Sequence, residues 1–349
     1  MENKPDVTLR LSADSPEDIR TAGELLRAGG LVALPTETVY GLAADALNPV
    51  AVSRIFTAKG RPSDNPLIVH IADLAELGTL CAAVPDAAVL LAARFWPGPL
   101  TLVLPRRDLV PGAVTAGLPT VAVRLPASQA ARAVIQAAGT PLAAPSANRS
   151  GTPSPTTAAH VWHDLNGRVD AIVDGGPCAV GIESTILDLS GDKPRLLRPG
   201  GVTQAELEEP LGPVEVDPAV LGPLSPENAP RAPGMKYRHY APRAPVYLLR
   251  GPSGAAAVWV RNHAQPGAAV LCFDGERALF EGVTRVSYGP ENDPSSLALN
   301  LFDALRRLDR PDVTVIYARC PEGDGLYEAV RNRLGKAAGF RQVTVAGYR

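Results

Sequence analysis

The sequence predicts an α/β protein of two domains: a mixed-sheet domain, then a smaller, doubly wound domain with a parallel sheet. The chain has 349 residues, which is more than one average domain contains. Short apolar runs alternate with helical segments in both halves, as expected where helices cover a sheet. Residues 212–245 hold eight prolines and little periodicity, so they predict an extended linker. We therefore assign one domain to residues 1–211, the linker to 212–245 and the second domain to 246–349.

The composition is that of a globular protein rather than a nucleic-acid binder or a membrane protein. The chain is 46% hydrophobic and 20% charged, with a formal net charge of −2, whereas a dedicated nucleic-acid binder carries a broad positive potential. No run approaches the ~20 apolar residues of a membrane span. The polar N-terminus lacks a signal-peptide core, so we expect a cytoplasmic protein. The cysteines are too scattered for a zinc site or a dithiol and are expected to be reduced: Cys81, Cys178, Cys272 and Cys320.

The first domain begins with a helix whose ends are marked by the sequence. Ser15 is a favourable N-cap, Pro16 suits the first helical position, and Gly29 and Gly30 end the helix near residue 28. Further helices are predicted at residues 50–58, 74–83, 86–95, 127–138 and 156–164. Apolar runs predict strands at residues 31–34, 66–71, 100–104, 121–125, 142–144, 171–173, 185–189 and 195–197.

The second domain has a simpler alternation. Strands are predicted at residues 246–249, 268–273, 313–317 and 343–346, and helices at 254–263, 295–308 and 326–338. Strands that alternate with helices indicate a parallel sheet.

Polar side chains follow several of the predicted strands. LPTETVYGL (34–42) places hydroxyls and a carboxylate just past a strand, and KGRPSDNPL (59–67) places two cations on a Pro-stiffened loop. In open α/β sheets ligands bind beyond strand ends. Closely spaced cations suit a polyphosphate, although an exposed basic turn is the alternative. PSANRSG (145–151) and RPGG (198–201) also follow strands.

Together these loops predict a pocket for an anionic ligand and a small polar one. The chain lacks the P-loop, the G-x-G-x-x-G fingerprint and H-E-x-x-H, so a nucleotide site must be of another kind. The segment PGMKYRHYAP (233–242) of the linker is dense in aromatic and basic side chains. Because a plain spacer does not need such side chains, we expect this segment to pack on a site.

In the motifs LPTETVYGL, KGRPSDNPLIVHI, SANRSG, RPGG and PGMKYRHYAP, the chain resembles the long, two-domain form of the threonylcarbamoyl-AMP synthase family, over about residues 15–349. The resemblance implies a nucleotidyltransferase that converts L-threonine, bicarbonate and ATP to threonylcarbamoyl-AMP and pyrophosphate. A partner complex would then transfer the threonylcarbamoyl group to a tRNA adenosine beside the anticodon. It also implies a twisted sheet with a concave, basic cavity that the linker crosses and the second domain helps to close.

Motif matching implies roles for individual residues. Threonine is expected near Thr38, His70, Arg124 and Ser184 and the backbone of Ala144. Lys59 and Arg61 are expected to be catalytic, and ATP to be held by Lys59, Arg61, Asn65, Thr120, Ser146, Ser154 and Arg198. Thr36 and Asn148 are expected to support these groups, and either Tyr237 or Tyr240 to cover the nucleotide. Mg²⁺ should accompany ATP, held mostly by phosphates and water; no protein metal site is expected, although Glu37 and Glu183 are candidate carboxylates.

Two other functions remain open from the sequence. The concave face could hold double-stranded RNA in a non-catalytic regulator, but the net charge of −2 allows only a weak RNA contact. A carbamoyl-transfer enzyme of metal-cofactor maturation shares a similar first domain. That family adds cysteine-rich zinc fingers, which four scattered cysteines do not supply.

Overall fold

A computed structural model describes residues 7–222 and 239–346. The described residues divide into two compact units. The first comprises residues 7–150 and 154–220, and the second comprises residues 151–153, 221–222 and 239–346.

Within residues 7–222, eleven strands form one sheet of mixed direction, as predicted. The strands are β1 Leu9–Ser12, β2 Val32–Leu34, β3 Gly41–Asp45, β4 Ile68–His70, β5 Leu100–Pro105, β6 Thr120–Arg124, β7 Leu142–Ala143, β8 Ala171–Asp174, β9 Thr185–Asp188, β10 Arg195–Arg198 and β11 Glu215–Val216. Their order is β1-β8-β2-β3-β7-β4-β6-β5-β9-β10-β11. At its centre, β4 runs parallel to β6, and β7 runs antiparallel to both β4 and β3.

Helices cover this sheet. They are α1 Pro16–Arg27, α2 Pro49–Lys59, α3 Leu77–Leu80, α4 Asp86–Phe95, α5 Gly112–Thr115, α6 Gln129–Ala138, α7 Ala158–Leu165, α8 Gln204–Leu211 and α9 Pro218–Leu221. The predicted start of α1 is confirmed, because the Ser15 hydroxyl accepts a hydrogen bond from the amide of Asp18 at 3.2 Å. α1 packs closely on α6: a Cβ at Gly23 would lie 2.6 Å from Ala137.

The two faces of the central strands carry different side chains. Val69, Val121 and Val123 point into the main hydrophobic core. Because side chains alternate along a strand, the opposite face carries Thr120, Ala122 and Arg124 of β6. That face also holds a small apolar cluster, to which α9 contributes Ala219; its other members are Ile68, Val103, Ala122, Ile186 and Leu197.

Some elements of this unit were not predicted. β3 consists of Gly41-Leu-Ala-Ala-Asp, whose small residues have little strand propensity. β11 and α9 fall inside the range assigned to the linker. β11 is held by pairing with β10 and by ion pairs from Glu215 to Arg195 at 2.9 Å and Lys193 at 3.4 Å. The single helix predicted at 74–83 is instead a 3₁₀ turn at Leu74–Glu76 followed by α3, which ends where Cys81 bridges to Arg106.

The second unit contains a five-stranded sheet within residues 239–346, and every pairing in it is parallel, as predicted. Its strands are β12 Val246–Arg250, β13 Ala268–Cys272, β14 Thr284–Ser287, β15 Val315–Arg319 and β16 Gln342–Thr344, in the order β14-β13-β15-β12-β16. Its helices are α10 Ser253–His263, α11 Pro294–Leu308 and α12 Leu326–Ala338. β14 was not predicted, because only Val286 of its four residues is buried. In the described part of the chain, no helix is both long and apolar enough to cross a membrane.

Candidate active site

A buried ion pair lies where β6 ends. Arg124, the last residue of β6, is 3% exposed and donates hydrogen bonds to a Glu37 carboxylate oxygen, to the Thr38 hydroxyl at 2.9 Å and to the Gly98 carbonyl at 3.1 Å. The Thr36 hydroxyl lies 2.9 Å from that of Thr38. The loop after β2 therefore meets the carboxyl end of β6.

Glu37 stays ionised beside Arg124. Burial alone raises the pKa of this carboxyl, but the charge and hydrogen bonds of Arg124 outweigh burial, so the pKa lies below its usual value. The second carboxylate oxygen accepts from the backbone amides of Ala127 at 3.0 Å and Ser128 at 3.4 Å. The start of α6 is thereby tied to the ion pair.

His70 is the register partner of Arg124 on the neighbouring strand. Burial and, secondarily, the positive charge of Arg124 lower the pKa of His70 to about 3, so the imidazole is neutral at physiological pH. Its Nδ1 lies 3.3 Å from the carbonyl oxygen of Ile68. That contact assigns the proton to Nδ1 and leaves Nε2 as a hydrogen-bond acceptor.

Lys59 shapes the turn after β7. Its ammonium group donates to the carbonyl oxygens of Ser146 and Asn148, and its own carbonyl accepts from the amide of Ser150 at 2.9 Å. The Ser146 hydroxyl donates to the Asn148 side-chain oxygen at 2.5 Å. Two of the three ammonium donors therefore hold the backbone of this turn, which makes Lys59 an organiser of the SANRSG loop.

Gly60 directs the chain from α2 into the loop that carries Arg61 and Asn65. It caps α2 with φ 62°, a left-handed conformation in which residues other than glycine are strained. Arg61 is half-buried, and Asn65, immediately before the extended segment that becomes β4, is 3% exposed.

A second polar group lies where β9 begins and β10 ends. Arg198 donates to the carbonyl oxygen of Ser184 at 3.0 Å and to its hydroxyl at 3.1 Å, and the Thr101 hydroxyl lies 2.8 Å from that of Ser184. The Ser154 hydroxyl donates to the Glu183 carboxylate at 2.5 Å.

Gly200 of the RPGG motif lets these segments approach each other. A Cβ at this position would lie 2.3 Å from the amide nitrogen of Thr185 and 2.5 Å from the carbonyl oxygen of Glu183. The close approach of these two backbone segments therefore requires glycine at position 200.

The structure thus groups most of the predicted site residues in the first unit. Thr38, His70 and Arg124 form one group, and Lys59, Ser146 and Asn148 form a second. Ser184 and Arg198 form a third group, and Ser154 and Glu183 form a fourth. The backbone amide of Ala144 is already engaged, since it donates to the carbonyl oxygen of Ile68 at 2.9 Å.

Three predicted residues lie apart from these groups or outside the described residues. Thr120 lies at the amino end of β6, about 13 Å along the strand from Arg124. Tyr240 is buried in the second unit. The centroid of its ring lies 5.3 Å from that of Phe302 and 5.6 Å from the Arg333 guanidinium. Tyr237 lies outside the described residues. The ring of Tyr240 is engaged in packing within that unit.

Two contributors were missed by sequence reasoning. Thr101 lies inside the apolar run of β5, yet it is fully buried and contacts Ser184. The sequence signal that could have identified Thr101 is a polar residue within an otherwise apolar strand. Gly98 contributes only its carbonyl oxygen, and a backbone contribution has no sequence signature.

Among residues 7–222 and 239–346, no group of three or more His, Cys, Asp and Glu side chains is arranged to hold a metal ion. Glu37 is occupied by Arg124 and two amides, and Glu183 accepts from Ser154. Both candidate carboxylates are therefore engaged by protein partners.

Both units resemble known proteins. A family model described as "Telomere recombination" matches residues 24–200, and one described as "Threonylcarbamoyl-AMP synthase, C-terminal domain" matches residues 202–339. The threonylcarbamoyl-AMP synthase of Pyrococcus abyssi is 48% identical over 94% of this chain and 96% of its own length. That of Bacillus subtilis is 47% identical over 97% of each.

The chain belongs to the threonylcarbamoyl-AMP synthase family. It is therefore an enzyme of the nucleotidyltransferase type, as predicted. A solved structure of the P. abyssi Sua5 protein complexed with L-threonine matches with a TM-score of 0.90 at 45% identity, covering 97% of this chain and 99% of that one. The two-domain fold of the synthase family is thus the fold of this chain.

Proposed function

We propose that this protein makes threonylcarbamoyl-AMP from L-threonine, bicarbonate and ATP, with release of pyrophosphate. Family membership and the L-threonine complex of the P. abyssi relative support this proposal. The observation that carries it is the buried guanidinium of Arg124 beside neutral His70 and the Thr38 hydroxyl. This arrangement offers an amino acid a partner for its carboxylate and hydrogen-bonding groups nearby.

Arg124 retains hydrogen-bonding capacity for a substrate. Of the five N–H donors of a guanidinium, three are directed at Glu37, Thr38 and Gly98. The other two can hold a carboxylate in the bidentate manner that arginine favours. Nε2 of His70 then accepts from the substrate amine or hydroxyl.

The proposed reaction needs no protein nucleophile. The deprotonated threonine amine forms a bond to the carbon of bicarbonate, and water leaves to give a carbamate. A carbamate oxygen then bonds to the α-phosphorus of ATP while the bond from that phosphorus to its bridging oxygen breaks. Pyrophosphate leaves with the electron pair of that bond, so the enzyme has to position two anions and stabilise charge.

The charges of the site fit this task. The residues that we assign to the site include four cationic side chains and two carboxylates: Lys59, Arg61, Arg124 and Arg198, and Glu37 and Glu183. We assign Arg61 and Arg198 to the triphosphate and Lys59 to the loop that carries Ser146. Ser146 and Ser154 donate to the triphosphate once their hydroxyls turn away from Asn148 and Glu183, because each hydroxyl has a single donor. Mg²⁺ bound to the phosphates would neutralise part of their charge. We assign Glu183 to its water shell, because Glu37 is held by Arg124 and two backbone amides.

The product is an activated acyl adenylate, whose chemistry calls for a second enzyme that accepts it. We assign the acceptor role to the tRNA threonylcarbamoyl-transfer complex, which modifies the adenosine beside the anticodon. Any direct contact of this protein with RNA would be weak, given its net charge of −2.

Product analysis tests the proposal. Purified protein is incubated with ATP, Mg²⁺, L-threonine and isotopically labelled bicarbonate, and the products are separated at once. We expect one labelled adduct that contains both AMP and threonine and that is absent when either substrate is omitted. Label that never enters an AMP-containing product would refute the proposal, and steeply salt-dependent RNA affinity would then favour the regulator.

A further inference from the structure

Two buried side-chain oxygens near the amino ends of β4 and β6 have no hydrogen-bond partner among the described residues. The Asn65 side chain is 3% exposed and Thr115 is 1% exposed. The Asn65 side-chain oxygen Oδ1 and the Thr115 hydroxyl Oγ1 are both buried without a hydrogen-bond partner among residues 7–222 and 239–346. A buried polar atom left in this state costs about 1–3 kcal/mol, so each calls for an explanation.

The two residues lie on adjoining segments. The amide of Leu67, two residues after Asn65, donates to the carbonyl oxygen of Val114 at 2.8 Å. The carbonyl oxygen of Thr115 accepts from the amide of Leu118 at 3.0 Å, in the turn that leads to Thr120. Asn65, Thr115 and Thr120 therefore gather at the same end of the parallel pair β4 and β6.

This end of the pair is opposite to the proposed amino-acid site. His70 and Arg124 close β4 and β6 at their carboxyl ends, about 13 Å along the strand from Thr120. If the α-phosphate meets the threonine carbamate near Arg124, the rest of ATP must extend away from it. One direction in which ATP can extend leads to the amino ends of β4 and β6.

The chemistry of the two groups selects which part of ATP they meet. Asn65 Oδ1 is an acceptor and needs a donor. A triphosphate offers only acceptor oxygens, whereas the nucleoside carries an amino group and ribose hydroxyls. We propose that Thr115 and Asn65 hydrogen-bond the nucleoside of ATP and that Thr115 is a further nucleotide-binding residue. This inference rests on the proposed function, which supplies ATP as the ligand.

Thr115→Val tests the assignment, because valine keeps the shape of threonine and removes only the hydroxyl. The ligand-free variant should unfold at the same or a higher temperature than the wild type, since the hydroxyl has no protein partner to lose. Its affinity for MgATP, measured by calorimetry, should fall about 3–10-fold, the range of one hydrogen bond. Thr115→Ser, which keeps the hydroxyl, should bind MgATP like the wild type.

Tripolyphosphate with Mg²⁺, which lacks the nucleoside, is the second probe. Its affinity should be equal for the wild type and Thr115→Val. Unchanged MgATP affinity in Thr115→Val, or an equal loss for both probes, would overturn the proposal. These binding measurements involve no turnover, so failure here is distinct from failure of the proposed reaction, which would appear as the absence of a threonine adduct in the wild type.

Discussion

His70 shows how its surroundings set the state of one side chain. Burial first, and the neighbouring Arg124 charge second, lower its pKa from 6.5 to about 3. The unfolded chain therefore binds a proton below pH 6.5 that the folded protein does not accept until about pH 3. By linkage, the neutral imidazole contributes stability that is present above pH 6.5 and is lost as the pH falls through this window.

We predict that His70→Asn removes this pH dependence. The free energy of unfolding of each protein is measured in urea. As the pH falls from 6.5 towards 3, the wild type should lose stability relative to the variant. The comparison cancels other titrating groups, including Glu37. A difference that does not change across this range would contradict the assigned state of His70.

Arg61 is the residue on which the proposed phosphate chemistry depends most. We expect Arg61→Ala to lower turnover by about 10²-fold, the loss typical of one transition-state stabiliser. Arg61→Lys should restore it only in part, because an ammonium lacks the planar, forked donors of arginine. The control is Arg20→Ala, whose side chain is 64% exposed on α1 and whose activity should be that of the wild type. Near wild-type pyrophosphate release by Arg61→Ala would refute the phosphate role.

Sequence reasoning located the polar loops at this scale but not their geometry. Thr38, His70 and Arg124 meet because each lies at or beside a strand end, and that much is visible in the motifs. Asn65 and Thr120 lie together at the other end of these strands. Their proximity depends on the pairing of β4 with β6, a contact between segments about fifty residues apart. Tertiary pairing of this kind has no local signal.

At the scale of elements, the apolar strands and capped helices were predicted well. α1, α4, α10 and α12 match their predictions closely because caps, prolines and glycines mark their ends. β1, β3 and β14 were missed. Each is short or poor in buried branched residues, so pairing in the sheet rather than propensity forms them.

Gly200 provides a test of how closely two elements approach. Gly200→Ala would force its Cβ against the backbone of Glu183 and Thr185 and should lower the free energy of unfolding by about 1–3 kcal/mol, the cost typical of overpacking. It should also weaken substrate binding, because Ser184 and Arg198 flank the contact. Gly191→Ala is the matched control, since nothing lies within 4 Å of its added Cβ. Equal stability of the two variants, measured by urea unfolding, would show that the close approach is not required.

At the scale of the whole molecule, charge is concentrated rather than spread. The net charge is only −2, yet four cationic side chains and only two carboxylates are assigned to the proposed site. Such local positive charge suits small anionic substrates more than an extended polyanion. The apolar cluster that contains Ala219 also brings the start of the predicted linker onto the face that carries Arg124 and Thr120.

The most direct test of this account is pyrophosphate release by the purified full chain with ATP, Mg²⁺ and bicarbonate, with and without L-threonine. We predict release that depends on L-threonine, is weaker with L-serine, and is lost in Arg124→Ala even though that variant retains the nucleotide-binding residues. Release at the same rate without L-threonine, or no release under any of these conditions, would contradict the assignment of the site to threonine activation.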